Sequence, residues 1–240
     1  MWHICKKEWQ QYFSSLTGYI ALTVFLLLNG LFLFVFPDTS MLDFGYATLE
    51  PYFNLAPWIL LFLVPTVTMR SLADEYRSGT FELLKTLPLT PNQVVIGKYL
   101  GALLVVATAL LPTVLYAISI QALSVTGGID TGATIGSYIG LLMLGAVFTA
   151  IGICASSFTN NTVIAFMAGA FTCFLLYNGF DALSKLPVFR AGLDYDIQIL
   201  GINFHYRSMS RGVIDSRDLA YFIGITILFL GITRRNLEKF

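Results

Sequence analysis

Side chains suited to nucleophilic or metal chemistry are few in this chain. There are two histidines, His3 and His205, and three cysteines, Cys5, Cys154 and Cys173. A zinc or copper site needs several such ligands to converge, but the histidines stand near opposite ends of the sequence and no CxxC spacing occurs. Cys5, Cys154 and Cys173 lie in or beside apolar stretches and read as packing residues, so no metal is expected. No HExxH or GxSxG pattern is present, which disfavours the commoner intramembrane hydrolases. A GxxxxGK(S/T) phosphate loop is also absent, because Gly97-Lys98 is followed by Tyr99 and lacks the upstream glycine. The chain is therefore not expected to hydrolyse ATP by that route. The chemistry that remains belongs to charged groups between long apolar runs.

Those runs define the elements. The sequence is 56% hydrophobic and 12% charged, with a mean hydropathy of +0.74. About 20 apolar residues match the hydrocarbon thickness of a bilayer. Six stretches qualify, near residues 15–36, 55–73, 94–125, 133–156, 162–180 and 219–233. The third is longer than needed, which predicts tilt, a kink at Pro112 or an extension beyond the bilayer. The expected fold class is an all-α, polytopic membrane protein made of one transmembrane domain over residues 1–240. The first stretch follows an amphipathic segment and no small-residue cleavage site, so it reads as a retained helix. A net charge of zero and the lack of any basic run give no sign of a nucleic-acid partner.

Loop charges set the expected orientation. Lys6 and Lys7 precede the first stretch, Arg70, Arg77, Lys85 and Lys98 surround the second loop, and Arg234, Arg235 and Lys239 follow the last. The first loop holds Asp38, Asp43 and Glu50 without a lysine or arginine. The positive-inside rule places both termini in the cytoplasm. Residues 181–218 then face outward, where five basic residues are matched by five acids.

Two cytoplasmic segments have patterns of their own. Trp2, Cys5, Trp9, Tyr12, Phe13 and Leu16 recur at helical spacing opposite Lys6, Lys7, Gln10 and Gln11. That predicts an interfacial helix over residues 1–14, with aromatics toward lipid and lysines toward head groups. A plain extension of the first span is the alternative. Further on, Met69 to Gln93 reads MRSLADEYRSGTFELLKTLPLTPNQ. A charged stretch breaks at Ser78-Gly79, and a short amphipathic piece carries Phe81, Leu83 and Leu84 beside Glu82. Thr90-Pro-Asn-Gln93 then restarts a helix with a capping box. Such a piece could dock in a partner's groove, with Glu75, Arg77 and Glu82 fixing orientation, or its leucines could rest on lipid.

Together these segments resemble the permease subunits of ABC-2-type exporters. Those chains open on a KKE…YFxS elbow, matched by Lys6-Lys7-Glu8 and Tyr12-Phe13-Ser14-Ser15. They carry an ExR(S/T)GTxELLxTxP stretch, matched by Glu75 to Pro88. Residues 204–218, FHYRSMSRGVIDSRD, are similar to the family's segment before the last span. Compact size and the lack of an inserted domain are similar to the gliding-motility-associated permeases. The copper-site maturation permeases for nitrous oxide reductase share the same motifs. The resemblance implies a bacterial inner-membrane subunit that binds no cofactor itself and works with a separate ATP-binding subunit carrying ATP and Mg. It implies that residues 74–88 are the coupling region, so Glu75, Arg77, Thr80, Phe81, Glu82, Leu83 and Leu84 would meet that subunit. The residues expected to form the elbow helix are Trp2, Lys6, Lys7, Trp9 and Phe13. The gliding-type match implies a second, larger membrane subunit with an extracytoplasmic part; a second copy of the chain is the other possibility.

Residues 181–217 are too long for a simple turn. Leu193, Ile197, Leu200 and Phe204 mark one apolar helical stripe, and Arg207 and Arg211 lie four apart on one face. Asp215 suits the cap of the last span. The resemblance implies short outer helices that close the exit of a pathway. The residue-level alternative is an interfacial loop with arginines reaching to phosphates. His205, Arg207 and Arg211 would suit an anionic solute, although arginine at a membrane interface is ordinary.

Within the fourth stretch Gly132, Gly136, Gly140, Gly145 and Gly152 predict close helix packing, expected within the chain. Asn29, Gln121 and Asn178 each require a partner or a wet cavity, with interhelical bonds favoured. A passive channel or scaffold would show no ATP dependence. A membrane transferase would need intramembrane acids or histidines, and none stands out in the sequence.

Overall fold

Backbone amides and carbonyls cannot be left unpaired in hydrocarbon, so apolar runs of this length fold as helices. The computed structural model describes residues 2–36, 48–82, 90–124, 128–187 and 194–239, and all regular structure among them is helical. Among the described residues, six helices are long and apolar enough to cross a membrane: Leu16–Phe34, Glu50–Ser78, Pro91–Leu123, Thr131–Ser157, Thr162–Ser184 and Ser216–Glu238.

The chain begins with α1 (Trp2–Ser14). It bends at Ser15, whose hydroxyl accepts from the Gly18 amide and caps α2 (Leu16–Phe34). Next come α3 (Glu50–Thr68) and, after a turn, α4 (Ala73–Ser78), closed by Gly79 at φ 70°. A left-handed residue there is what ends α4, and glycine takes it without a steric penalty. The expected capping box is present: the Gln93 amide donates to Thr90 Oγ1 at 3.4 Å and the Thr90 amide to Gln93 Oε1 at 3.2 Å. It starts α5 (Pro91–Leu110). At Pro112, where a kink was expected, α5 passes through a 3-10 turn (Leu111–Thr113) into α6 (Val114–Leu123).

The centre of the bundle is α7 (Thr131–Ser157). Buried positions make up 72% of its most apolar stretch, against 22% for α2, 22% for the span that begins at Thr162 and 17% for the last span. It packs on α3, on α5, on α8 (Thr162–Phe174) and on α12 (Ser216–Lys239). After α8 the helix loosens into a π turn (Leu175–Gly179) and α9 (Phe180–Ser184). Two short helices precede the last span, α10 (Asp194–Ile199) and α11 (Ile202–Met209). The expected single stripe through Ile197, Leu200 and Phe204 is therefore interrupted at Gly201. The buried face of α11 is instead Ile202, Asn203, His205, Tyr206 and Met209.

Within lipid, packing rather than a hydrophobic drive holds helices together, and small residues permit close approach. Four glycines of α7, Gly136, Gly140, Gly145 and Gly152, serve this inside the chain as expected, whereas a Cβ on Gly132 would meet only Asp130 at 3.4 Å. A Cβ on Gly136 would lie 2.8 Å from the Gly212 Cα, and one on Gly140 2.8 Å from the Met209 Cβ. On Gly145 it would meet Val106, and on Gly152 it would collide with Thr68 Oγ1. Outward positions such as Leu27, Phe62, Phe171 and Ile227 remain exposed and apolar, as a lipid-facing surface requires. Leu237 packs with Leu72, Phe81 and Val94, and Ile4 of α1 packs against the same cluster, so both termini lie at one end of the bundle.

Two of the three uncharged polar residues singled out in the spans bond locally, contrary to the favoured interhelical reading. Asn29 donates to the Phe25 carbonyl of its own helix at 2.7 Å, and Gln121 accepts from the Ile129 amide at 2.7 Å. Asn178 lines a cleft at the end opposite the termini. The three cysteines are free and buried.

Candidate functional site

At the end that carries the termini, one buried lysine gathers three segments. Lys98, in the second turn of α5, is 1% exposed. Its ammonium donates to Glu8 Oε1 of α1 at 2.7 Å and to the Ser71 carbonyl at 2.6 Å, and lies 2.9 Å from Glu75 Oε1 of α4. Lys7 stands 3.7 Å from the same Glu75 oxygen. Two carboxylates and two ammonium groups thus form a locally neutral cluster. A buried ammonium needs this degree of pairing, because its desolvation penalty is several kcal/mol.

Neighbouring residues place these groups. Gly101 lets α1 lie directly on α5, since a Cβ there would come within 2.7 Å of the Glu8 Cβ. Ser156 of α7 accepts from the amides of Leu72 and Ala73, each at 3.0 Å, and donates to the Met69 carbonyl at 3.1 Å. That fixes the turn from which α4 departs. Beneath it, Phe81 packs with Leu72, Val94, Val95, Ile153 and Leu237. A cavity of about 310 Å³ opens between α1, this turn and α5, bordered by Tyr12, Arg70, Ser71 and Glu75. Burial pushes the Tyr12 phenol up to about 12.

The predicted coupling residues therefore divide. Arg77, Thr80 and Glu82 are exposed. Glu75 is mostly enclosed by its lysines, and Phe81 is 8% exposed and faces the bundle, so it anchors the loop rather than offering itself to a partner. Leu83 and Leu84 lie outside the described residues. In α1, Trp2, Lys6, Lys7 and Trp9 are exposed and Phe13 is half-buried, while Cys5 and Glu8 face α5. Sequence reasoning counted Lys98 among the loop charges; it sits inside the third span. A lysine within an apolar run is the signal that could have exposed it.

The opposite end has two clefts. One, of about 730 Å³, is bordered by Glu50, Trp58, Asp130, Tyr206, Arg207 and Arg211. The other, of about 640 Å³, is bordered by Asp181, His205, Arg207, Arg217 and Asp218. Arg207 and Arg211 are exposed between them, and Ile197 and Phe204 are half-buried. Leu200 is exposed, and Leu193 lies outside the described residues. Tyr206 donates to the Phe53 carbonyl at 2.7 Å and ties α11 to α3. Burial holds its phenol well above the ordinary range. His205 is not free for an anionic solute, because its ring is buried against Asp218. Asp215 caps α12 as expected, accepting from the Arg217 amide at 3.0 Å.

Among the described residues the chain is a bundle with six candidate spans, in which a charged loop is held against a locally neutral ion cluster. The sequence model of the family described as ABC-2 family transporter protein matches residues 2–183. That is most of the chain, which therefore belongs to this family of multi-pass transporter permeases. Family membership implies a separate ATP-binding subunit as partner. The match covers both the α1 segment and the 69–93 loop, and stops before residues 204–218. No curated protein matches the chain.

Proposed function

We propose that this chain, acting as one membrane domain, couples ATP hydrolysis by a separate ABC subunit to work across a bacterial inner membrane. Both termini would face the cytoplasm, with α1 lying in the interface as an elbow. Residues 74–88 would meet the ATP-binding subunit, presenting Arg77, Thr80 and Glu82. The observation that carries this reading is the bonding of Glu75. It belongs to the loop motif and is joined through Lys98 to α5 and to Glu8 of α1. A push on the loop would therefore be felt at once by the elbow and the third span. At the far end, residues 194–212 cover the bundle and would act as the exit gate.

ATP and Mg would be held by the partner, with no cofactor on this chain. Within the family, the resemblance favours the gliding-motility-associated type, in which a second membrane subunit with an extracytoplasmic part completes the complex and the output is export or conformational work. The test is to purify the tagged chain from native membranes in mild detergent, identify its companions and assay ATP hydrolysis. An ATP-binding subunit with activity supports the proposal, and an additional membrane subunit supports the gliding type. A chain that crosslinks to no ATP-binding subunit in intact membranes and shows no activity refutes it.

A further inference from the structure

The segment ahead of the last span contains a buried dyad that the transport reading does not use. His205 of α11 and Asp218 of α12 are 6% and 5% exposed. The ring Nδ1 lies 2.7 Å from Asp218 Oδ1, and Nε2 lies 2.8 Å from the Ile199 carbonyl oxygen at the end of α10. Tyr221 stacks on the ring at a centroid distance of 3.9 Å. A carboxylate and a carbonyl can only accept hydrogen bonds, and a neutral imidazole has one donor nitrogen. With Asp218 ionised, both contacts are satisfied together only by the imidazolium, which donates from both nitrogens; either way the dyad holds one proton more than neutral imidazole beside carboxylate.

The surrounding groups leave that role to Asp218. On its own helix and the turn beyond, His205 has Arg207 and Arg211 nearby. Tyr195 comes from α10, Asp181 from α9, Tyr177 from the π turn, and Asp215, Arg217 and Tyr221 from α12 and its cap. None of these charged groups makes an ion pair with either member of the dyad among the described residues, and Asp218 Oδ2 has no hydrogen-bond partner there. The packed face of α7 contributes no charged side chain.

We infer that His205 and Asp218 form a proton-binding site that fastens residues 194–212 to the last span. With the proton bound, the ring joins Ile199, α11 and Asp218. Without it, one nitrogen turns a lone pair toward an acceptor and one of the two bonds is lost. The tie from the Tyr221 hydroxyl to the Leu200 carbonyl, at 2.6 Å, does not depend on this proton. The sign follows: the attachment is tightest with the proton bound and loosens when rising pH removes it. This inference stands on the dyad alone and survives even if the coupling reading fails.

The chain has only two histidines, so a His3→Asn variant isolates His205 for ¹⁵N NMR in nanodiscs. At mildly acidic pH both ring nitrogens should carry protons, and Asp218→Asn should shift the ring to neutral at that same pH. Spin labels at Asp196→Cys and Ile223→Cys, both exposed, should move apart as pH rises. His205→Gln, which cannot titrate, should abolish that change and serves if the Asp218 variant does not fold. A ring that stays neutral at every pH overturns the proposal. So does a ring that titrates while the labels stay fixed, or a pH-dependent separation that survives His205→Gln.

Discussion

Replacing Lys98 with methionine removes the charge on which Glu8 and Glu75 converge, while keeping most of the side-chain volume. At 2.7 and 2.9 Å, each pair attracts by about 6 kcal/mol at an effective dielectric near 20, before desolvation is subtracted. Removing one partner of a buried pair costs about 3–5 kcal/mol, because the charge left behind is uncompensated. The carboxylates keep 17% and 12% side-chain exposure, so the lower end applies, about 3 kcal/mol. For a chain of this size that should lower the unfolding midpoint by roughly 6–12 °C. The assay is thermal unfolding of the purified chain in detergent, followed by tryptophan fluorescence. Lys98→Met combined with Glu8→Gln and Glu75→Gln should recover most of the loss, since no charge is then stranded. A single variant within about 0.5 kcal/mol of the parent, or a triple variant as unstable as the single, would refute the cluster's role.

Two further outcomes follow from the packing at the other end. Tyr206→Phe deletes the bond from the phenol to the Phe53 carbonyl and should cost about 1–2 kcal/mol in the same unfolding assay. Because burial raises this phenol well above its ordinary range, spectroscopic titration should show Tyr206 un-ionised when exposed tyrosines have already lost their protons. Gly136→Val should cost about 1–3 kcal/mol, since its side chain would meet the Gly212 backbone, which cannot rotate away. Gly132→Val, at a site where an added Cβ meets only Asp130 at 3.4 Å, should be much milder, and equal losses would contradict the packing described.

Much of this architecture could be read in the sequence because membrane helices obey simple length and composition rules. Six spans, the bend at Ser15, the stop at Gly79 and the capping box at Thr90 all rest on local patterns. What stayed hidden was set by contacts distant in sequence. Lys98 meets Glu8 ninety positions away, and no periodicity encodes such a pairing. The inward turn of Phe81 depends on Val94, Ile153 and Leu237 converging beneath it. His205 invited a solvent-facing role because its neighbours are arginines. Its partner Asp218 lies across a turn whose geometry only the fold reveals. The stripe through Leu200 and Phe204 failed at Gly201, where the chain leaves α10 and starts α11.

We propose that residues 74–88 are where an ATP-binding subunit engages this permease. Glu82 is exposed and makes no ion pair among the described residues, so reversing its charge tests the contact without disturbing the cluster beneath. The measurement is recovery of the ATP-binding subunit with tagged chains carrying either Glu82 or Glu82→Arg, purified from membranes that contain equal amounts of each. The subunit and its ATPase activity should accompany the parent chain and be lost with the variant, while membrane insertion is unchanged. Undiminished recovery with Glu82→Arg would contradict it.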